Sequence, residues 1–463
     1  MKQIFKFKEN IGEIGLFALP VFIEQVSISC MSIIFTIMVS HVSTAAVSGF
    51  SLVESLNILI QQVFMSLEIG ATVVIAQYCG RNDHKSASEA CIQAMLTSVT
   101  IAAILCVILL IFPNQILGLI FGNADAEVFR AGRTYFTYAV LSFPFLSVYA
   151  ITTASIRGSG NPKLSLVNVV ITNVAFAGFG LIFINVFKMG IAGAGMSILI
   201  SRFIGAVTGL ILLKKGNSVL TIERWIPKKI QWHIQKSILL IGIPSCIENV
   251  IFLSGKLTTQ TFIVKLGTKA LATNAMVSSL AGFYNIPGST AAAITIPIVG
   301  KYIGMKNKQN AKDSSRIILL LSILSLAALS ILLSIFTKPI AGLFTADSFI
   351  IKEMVFISRT NFAVSPLIWT ISFVLPAVLR ASGDMNYTAV VSIASMFLFR
   401  MTIGYIFAIT LGFGVIGIWI GMYIDWLVRG ILFGIRYLKG HWTDRIILQE
   451  KKTAIFNIDT PEI

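Results

Sequence analysis

The sequence predicts an all-α polytopic membrane protein with twelve transmembrane helices in two lobes of six. Of its 463 residues, 56% are hydrophobic and only 12% are charged, and the mean hydropathy is +0.86. A soluble domain is about 25% charged. Apolar runs of roughly 20 residues, enough to cross a bilayer, recur along the chain. An open chain satisfies its backbone groups in lipid only as helix, so each run is predicted to be helical.

Twelve apolar runs follow one another, separated by short polar segments. Several exceed the minimum length for a span, which allows tilt or bending. Pro144, Pro366 and Pro376 are predicted to bend spans four and ten. The predicted spans lie near residues 14–40, 45–79, 90–112, 131–156, 164–187, 191–213, 237–264, 269–300, 315–337, 353–379, 386–411 and 414–437.

The basic residues alternate along the chain in the pattern of positive-inside loops. The formal charge of +16 is spread over the two terminal segments and the loops after even-numbered spans, with the largest group in 214–236. The opposite loops are sparse in Lys and Arg. This distribution predicts a multi-pass protein of the plasma (cell) membrane with both termini cytoplasmic. It forms no single basic patch, so no nucleic-acid partner is expected.

The second half of the chain repeats the first at a spacing of 223 or 224 residues. Because each unit contains six spans, both enter the membrane from the same side, which predicts a parallel repeat about an axis along the membrane normal. We therefore predict an N-terminal lobe at 1–213, a basic cytoplasmic linker at 214–236, a C-terminal lobe at 237–440 and a cytoplasmic tail at 441–463. The matching pairs are Pro20 and Pro244, Ala46 and Ala270, Gly80 and Gly304, Arg157 and Arg380, and Gly190 and Gly414.

Two glutamates are the main candidates for a functional site. Glu24 and Glu248 each follow a proline by four residues and lie near the middle of spans one and seven. A carboxylate at that depth costs about 2.5–3.5 kcal/mol on the insertion scale. One interpretation is a neutral carboxyl that joins two helices by a hydrogen bond. The other is a desolvated carboxyl at which a proton and a cation compete.

Glu68 and Lys256 are further candidates for cation or substrate binding, and the remaining charged residues within the spans are assigned structural roles. Glu68 on span two either contacts a cavity or lies at a hydrated helix end. Lys256 on span seven is a counter-ion of Glu24 or Glu68, a built-in competitor of a cationic substrate, or a side chain that extends to the membrane surface. Asp425 and Arg429, spaced i,i+4 on span twelve, are predicted to be a structural pair. Arg202 and Arg400 are assigned to helix packing.

Several motifs resemble those of the multidrug and toxic compound extrusion (MATE) transporters over nearly the whole chain. This resemblance implies two six-helix lobes, a rocker-switch cycle, and export of organic cations in exchange for protons or sodium. It implies no enzyme activity and no cofactor apart from the coupling ion, H⁺ or Na⁺. The expected partners are cationic amphiphiles and the lipid bilayer, and the expected state is a monomer. The motifs are Pro20 to Gln25, Ile37-Met38-Val39 followed by Ala45-Ala46-Val47, Ala71 to Gly80, and the turns that begin at Arg157 and Arg380.

The chain departs from the resembled family at its acidic positions. Phe35 stands where many bacterial relatives have an aspartate, Asn173 to Phe179 contains no acid, and the third acidic position falls near Trp369. We infer that the first-helix carboxylate has moved to Glu24, or that coupling resides at Glu248, where sodium-coupled relatives bind the ion and Na⁺ is therefore possible. The candidates for lining a cavity are Gln25, Asn249, Phe35, Asn173, Tyr284 and Trp369. The turns at Arg157 and Arg380 are assigned to helix-end geometry.

Three other functions are weighed against export of cations. A flippase for lipid-linked precursors has the same architecture but needs a cavity rich in Arg and Lys, whereas the charges within the spans are mostly acidic. A channel needs no coupling carboxylate. An intramembrane enzyme needs a catalytic constellation, and no span contains one of the recognised motifs.

Overall fold

In the computed structural model, the described residues are 2–40, 44–122, 125–216, 219–227, 229–445 and 447–448, and twelve helical segments account for most of them. The first six are α1 (Lys2–Ser40), α2 (Thr44–Gly80), α3 (His84–Ile111), α4 (Ala126–Leu141 and Phe143–Gly158), α5 (Pro162–Val186) and α6 (Gly190–Gly216). The second six are α7 (Trp232–Lys265), α8 (Thr268–Tyr284 and Ile286–Gly304), α9 (Lys308–Phe344), α10 (Ser348–Ala381), α11 (Met385–Thr410) and α12 (Gly414–Leu438). A short helix, Pro113–Phe121, follows α3.

The prediction of an all-helical, two-lobe membrane protein is confirmed. Ten of these segments are single helices long and apolar enough to cross a membrane, and α4 is an eleventh once its two pieces are counted together. The twelfth is α8, which is broken at Asn285. Its bounds lie 224 residues after those of α2, so α8 has the place of α2 in the second repeat.

The predicted bend of α4 is confirmed, and α10 contains a π-helical segment near its prolines. The two pieces of α4 meet at 46°, beside Pro144. In α10, Pro366 and Pro376 flank a π-helical segment, Thr370–Val374. Proline removes a backbone donor, and a neighbouring π-turn accommodates the change in winding.

Each lobe has its own apolar core, and a third core joins them. The first lobe is packed around Phe35, Phe64 and Tyr135. The second is packed around Tyr284 and Trp426. A further cluster of buried residues combines α2, α3 and α4 of the first lobe with the beginning of α7, so the two lobes share apolar burial at one end of the bundle.

The lobes meet where α2 packs against α7 and α8 and where α1 packs against α8. Glycines make this approach close. A Cβ at Gly70 would lie 2.6 Å from the main-chain oxygen of Ile238, and a Cβ at Gly80 or Gly304 would overlap the main chain of the other helix. Gly80 and Gly304 end their helices, just before loops that carry basic residues. The tightest contact therefore lies at the end of the bundle with the basic loops, here called the basic end.

The predicted linker and tail are only partly described. Trp225 of the linker packs against the core shared by the lobes, whereas Trp232 is 72% exposed at the start of α7. A short 3₁₀ helix, His441–Asp444, follows α12. The rest of the predicted tail, beyond residue 448, lies outside the described residues.

Candidate functional site

Glu24 is held inside the first lobe by two neighbouring helices. It lies one turn after Pro20 on α1 and is 2% exposed. Nη2 of Arg157, in the last turn of α4, lies 2.6 Å from Oε1 of Glu24. The hydroxyl of Ser165 on α5 donates to Oε2 over 3.2 Å. A charge-assisted hydrogen bond of this length is a strong one, so this carboxylate is fixed in place.

Glu68 shares the same arginine. Its Oε1 lies 3.6 Å from Nη1 of Arg157, and its side chain is 21% exposed, against 3% for Glu24. We call Glu24, Glu68 and Arg157 the Arg157 cluster. Two carboxylates face one guanidinium there, so the cluster has a charge of −1 when both acids are ionised. The contact of Glu68 with Arg157 is longer than that of Glu24, and the side chain of Glu68 is more exposed to solvent.

Glu248 forms the matching pair in the second lobe. Its Oε1 accepts a hydrogen bond of 2.7 Å from Nη2 of Arg380, in the last turn of α10. Its other oxygen is buried and has no hydrogen-bond partner among the described residues. The residue 224 positions after Glu68 is Ala292 on α8, so the second lobe lacks the third member of the cluster.

The two arginines are the site residues that sequence reasoning missed. Arg157 and Arg380 were assigned to helix-end geometry, but each is the counter-ion of its lobe's glutamate. The signal was present in the repeat, because acid and base recur together in a chain with few charges. Lys256 was suggested as the counter-ion of Glu24 or Glu68, but it is exposed on α7. Arg157 has that role instead.

Three aromatic residues proposed to line a cavity are buried in lobe cores instead. Phe35 lies between Phe50 and Phe176, with ring centroids at 5.3 and 4.4 Å. Tyr284 is fully buried, and its hydroxyl lies 2.9 Å from that of Ser330. Trp369 stacks on Phe373 at 4.7 Å and is 6% exposed. Apolar packing accounts for all three positions.

The amide residues proposed as lining lie on or near α1 and α7. Asn249 donates from Nδ2 to the hydroxyl of Ser66 on α2 over 3.2 Å, which joins the two lobes. Asn173 on α5 donates to the hydroxyl of Ser27 on α1 over 2.8 Å, within the first lobe. Gln25 is half-buried on α1. Of the three, Asn249 belongs to the surface between the lobes.

The predicted pair of Asp425 and Arg429 is wrong. Asp425 accepts hydrogen bonds from Nε of Arg400 at 3.0 Å and from the hydroxyl of Ser395 at 2.6 Å, both on α11. The guanidinium of Arg429 instead lies 4.4 Å from the ring centroid of Phe373. Asp425 therefore pairs with Arg400 on the neighbouring helix α11, and not with Arg429 four residues later on its own helix.

Arg202 has the packing role predicted for it. It donates to the hydroxyl of Ser142 over 2.7 Å and to Oδ1 of Asn57 over 3.4 Å. Asn57 and Tyr135 in turn donate to Glu54, at 3.0 and 3.1 Å. This network gives both Arg202 and Glu54 polar partners within the first lobe.

A cavity of about 240 Å³ lies between the lobes at the basic end. Residues of α1, α2 and α8 line it together with residues near the ends of α3, α4 and α9 and in the linker, among them Glu13, Cys79, His84, Lys301 and Tyr302. The residues of the Arg157 cluster and Glu248 do not line this cavity. The residues that follow Arg157 in its turn, Gly158 to Gly160, do line it. The cavity therefore adjoins the charged site from the basic end.

A family model described as MatE matches the chain twice, over residues 20–182 and 244–406. The matched segments begin and end 224 residues apart, which is the spacing of the internal repeat. A Thermotoga maritima protein named "Probable multidrug resistance protein NorM" is 25% identical over 96% of this chain and 97% of its own length. A Bacillus subtilis protein, "Uncharacterized transporter YisQ", is 27% identical over 94% and 95%.

The fold is also that of solved structures. One, described as the outward-facing conformation of a multidrug resistance MATE family transporter of the MOP superfamily, superposes with a TM-score of 0.86. The superposition covers 95% of this chain and 97% of that one, at 18% identity. At this identity the likeness concerns the arrangement of the helices alone.

Proposed function

Because the chain belongs to the MatE family of membrane transporters, we propose that it is a secondary active transporter that exports cationic amphiphiles in exchange for inward-moving H⁺ or Na⁺. The names of similar full-length proteins, which include multidrug resistance proteins, support the multidrug part of this proposal. The charged groups within the lobes support the exchange part.

The observation that carries the proposal is the extra carboxylate of the Arg157 cluster. Arg157 neutralises one acid, and Glu24 is the better placed of the two, at 2.6 Å against 3.6 Å. Glu68 is then a carboxylate without a full counter-charge, and its side chain is partly accessible. A group in this position binds either a proton or another cation, because either one removes the net charge. Competition between the two is the chemistry that antiport requires.

Glu24 has a supporting role in this scheme. It holds Arg157 beside Glu68 and links α1 to α4 and α5 through Arg157 and Ser165. When Glu68 gains or loses its bound cation, the charge on Arg157 is shared differently between the two acids. The contact between α1, α2 and α4 changes with it, which couples ion binding to the packing of the first lobe.

The contacts between the lobes support alternating access. Gly80 and Gly304 bring α2 and α8 together at the basic end, and Nε2 of Gln77 donates to the main-chain oxygen of Ala381 over 2.9 Å. By the positive-inside rule the basic end is cytoplasmic, with both termini on that side. The conformation seen here is then closed toward the cytoplasm, and the rocker-switch step separates these helix ends.

The test is efflux of a fluorescent organic cation from cells that lack other pumps, with the proton and sodium gradients varied separately. Glu68→Gln is expected to lose gradient-driven efflux, because the neutral amide no longer exchanges a proton for a cation. The control is Glu127→Gln, which removes an exposed acid from the first turn of α4. Gradient-driven efflux that is unchanged in Glu68→Gln would contradict the proposed site. Wild-type efflux that responds to neither gradient would favour a channel.

A further inference from the structure

One group of neighbouring charged side chains in the second lobe contains more arginine than acid. Arg380 pairs with Glu248, and Arg400 pairs with Asp425. Arg429 lies within electrostatic range of both acids and of Arg380. We call these five residues the C-lobe arginine cluster. With three guanidinium groups and two carboxylates, it has a charge of +1.

Arg429 is the member that forms no ion pair among the described residues. It is 2% exposed, and its Nε and Nη2 atoms have no hydrogen-bond acceptor among the described residues. Asp425, four residues earlier on α12, accepts from Ser395 and Arg400, and no hydrogen bond joins it to Arg429 among the described residues. A buried guanidinium with N–H groups left unpaired is strongly disfavoured unless an anion or another acceptor meets it.

Aromatic rings enclose the same place. The guanidinium carbons of Arg400 and Arg429 lie 5.0 and 5.9 Å from the ring centroid of Phe252 on α7. Phe373 lies 4.4 Å from Arg429, and Trp426 lies 6.0 Å from Arg400. Cation–π contact offsets part of the desolvation of each arginine, but it supplies no negative charge. The positive charges of Arg400 and Arg429 therefore lie near the same ring, that of Phe252.

The first lobe shows what a satisfied arginine looks like in this fold. Arg202 on α6 has the same depth of burial, at 7% exposed, but it donates to Ser142 and Asn57. Asn57 continues to Glu54, so the positive charge of Arg202 is matched through a chain of hydrogen bonds. No such chain reaches Arg429 among the described residues.

We infer that the second lobe binds a small monovalent inorganic anion of the chloride class between Arg400 and Arg429, beside Phe252. The charge of +1 sets the valence, since one such anion neutralises the cluster. The aromatic rings that lie 4.4–6.0 Å from the guanidinium carbons favour a small anion over a bulky phosphate or carboxylate ligand. The unpaired N–H groups of Arg429 are the donors that the anion accepts from. This inference does not depend on the exchange proposed for the first lobe.

The experiment measures thermal unfolding of the purified full-length protein in detergent, in sodium chloride and in sodium gluconate at equal ionic strength. Chloride is expected to raise the Tm of the wild type in a saturable manner, by about 2–5 °C. Arg429→Met is expected to have the same Tm in both salts, because it removes the surplus charge. Arg429→Lys retains the charge and is expected to keep a weaker chloride response.

The matched control is Arg202→Met, which removes a buried arginine from the corresponding helix of the first lobe. It is expected to lower the Tm in both salts and to leave the chloride-dependent shift intact. Crystals grown in bromide give a second readout, an anomalous peak between Arg400 and Arg429. This peak is expected in the wild type and absent in Arg429→Met, whether or not that variant is less stable.

Two results would overturn the inference. One is a wild-type Tm that is equal in chloride and gluconate, together with bromide peaks at exposed sites alone. That result would indicate an adventitious ion only. The other is a chloride response of full size in Arg429→Met. Neither measurement uses transport, so failure here is distinguishable from failure of the proposed exchange.

Discussion

In the first lobe, Glu24 shares Arg157 with Glu68, whereas in the second lobe Glu248 has Arg380 to itself and alanine stands at the position of Glu68. The lobes differ in the opposite sense around their last helices. Arg202 of the first lobe donates to Ser142 and Asn57, but Nε and Nη2 of Arg429 in the second have no hydrogen-bond acceptor in the described part of the chain. One lobe therefore has surplus negative charge and the other surplus positive charge, within a single repeated architecture. The repeat preserves a glutamate–arginine pair and leaves the rest of the electrostatics free to diverge.

The strongest test of this difference between the lobes is to remove, one at a time, the arginine of each repeated glutamate–arginine pair. Arg157→Met leaves the buried Glu24 and the partly accessible Glu68 without this counter-ion and is expected to destabilise the protein by about 3–5 kcal/mol. Arg380→Met leaves one acid, and Arg429 remains within electrostatic range of it, so a smaller loss is expected. Thermal unfolding of the two variants in the same detergent makes the measurement.

A second substitution serves as the control for that prediction. Adding Glu24→Gln to Arg157→Met removes one of the stranded acids and is expected to restore part of the lost stability. Losses of equal size in Arg157→Met and Arg380→Met would show that the lobes do not differ in the way their charges are balanced.

Moving the extra carboxylate from one lobe to the other would sharpen the comparison. Glu68→Ala is expected to abolish gradient-driven efflux, and Ala292→Glu places an acid on α8 at the equivalent position, near the Glu248 and Arg380 pair. Because Ala292 packs against apolar neighbours, its enlargement is expected to cost about 1–3 kcal/mol. Efflux and thermal unfolding are measured for each single variant and for the double variant.

The outcome for the double variant separates two ideas. Recovery of part of the gradient response would show that a glutamate beside either repeated pair is sufficient. If the double variant is folded but inactive, the first lobe supplies something besides the carboxylate itself. A gradient response that persists in Glu68→Ala alone would contradict the site.

The smallest expected effect concerns two aspartates that precede helices outside the spans. Asp347 precedes α10, accepts from the backbone N–H groups of Phe349 and Ile350, and pairs with Lys269 at 2.9 Å. Asp125 precedes α4 and makes no such side-chain bond. The hydrogen bond from Lys269 holds the pKa of Asp347 below its ordinary value, and the bonds from the backbone add to this.

The direction of the pH effect follows from that lowered pKa. The contribution of Asp347 is fully present above the ordinary aspartate pKa of about 3.9. It is lost as the pH falls through the lower value of the folded protein. Asp347→Asn is therefore expected to reduce the acid sensitivity of unfolding slightly below about pH 4, and Asp125→Asn to leave it unchanged. Unfolding followed against pH for both variants makes the test, and an equal effect of the two would contradict it.

The sequence predicted the helices and the repeat because both depend on properties that recur along the chain. Runs of apolar residues specify the spans, and the constant spacing of Pro20, Gly80 and their counterparts specifies the two lobes. The two central glutamates were also found from the sequence, since an acid within an apolar run is conspicuous. Their partners were not, because Arg157 lies 133 positions from Glu24 and sits in a turn whose glycines indicated a loop.

The errors at other residues have physical causes of the same kind. An aromatic ring in a span has the same sequence signal in a core as on a cavity wall, so Phe35 and Trp369 were misplaced. The pairing of Asp425 with Arg429 was inferred from one helix in isolation. Arg400 lies in the π-helical segment Met396–Met401, where the altered winding changes which side chains face α12. No pattern in the sequence specifies that change of register.

The crossing of α2 and α8 has a practical consequence. At Gly80 and Gly304 the two helices touch main chain to main chain, with no side chain between them. A single methyl group at either position would overlap the main chain of the other helix and push the two helices apart where they cross. Alanine substitutions there offer a route to trapping the protein in its opposite state without any drug or antibody, and they would reveal a face of the bundle that is hidden in the arrangement seen here.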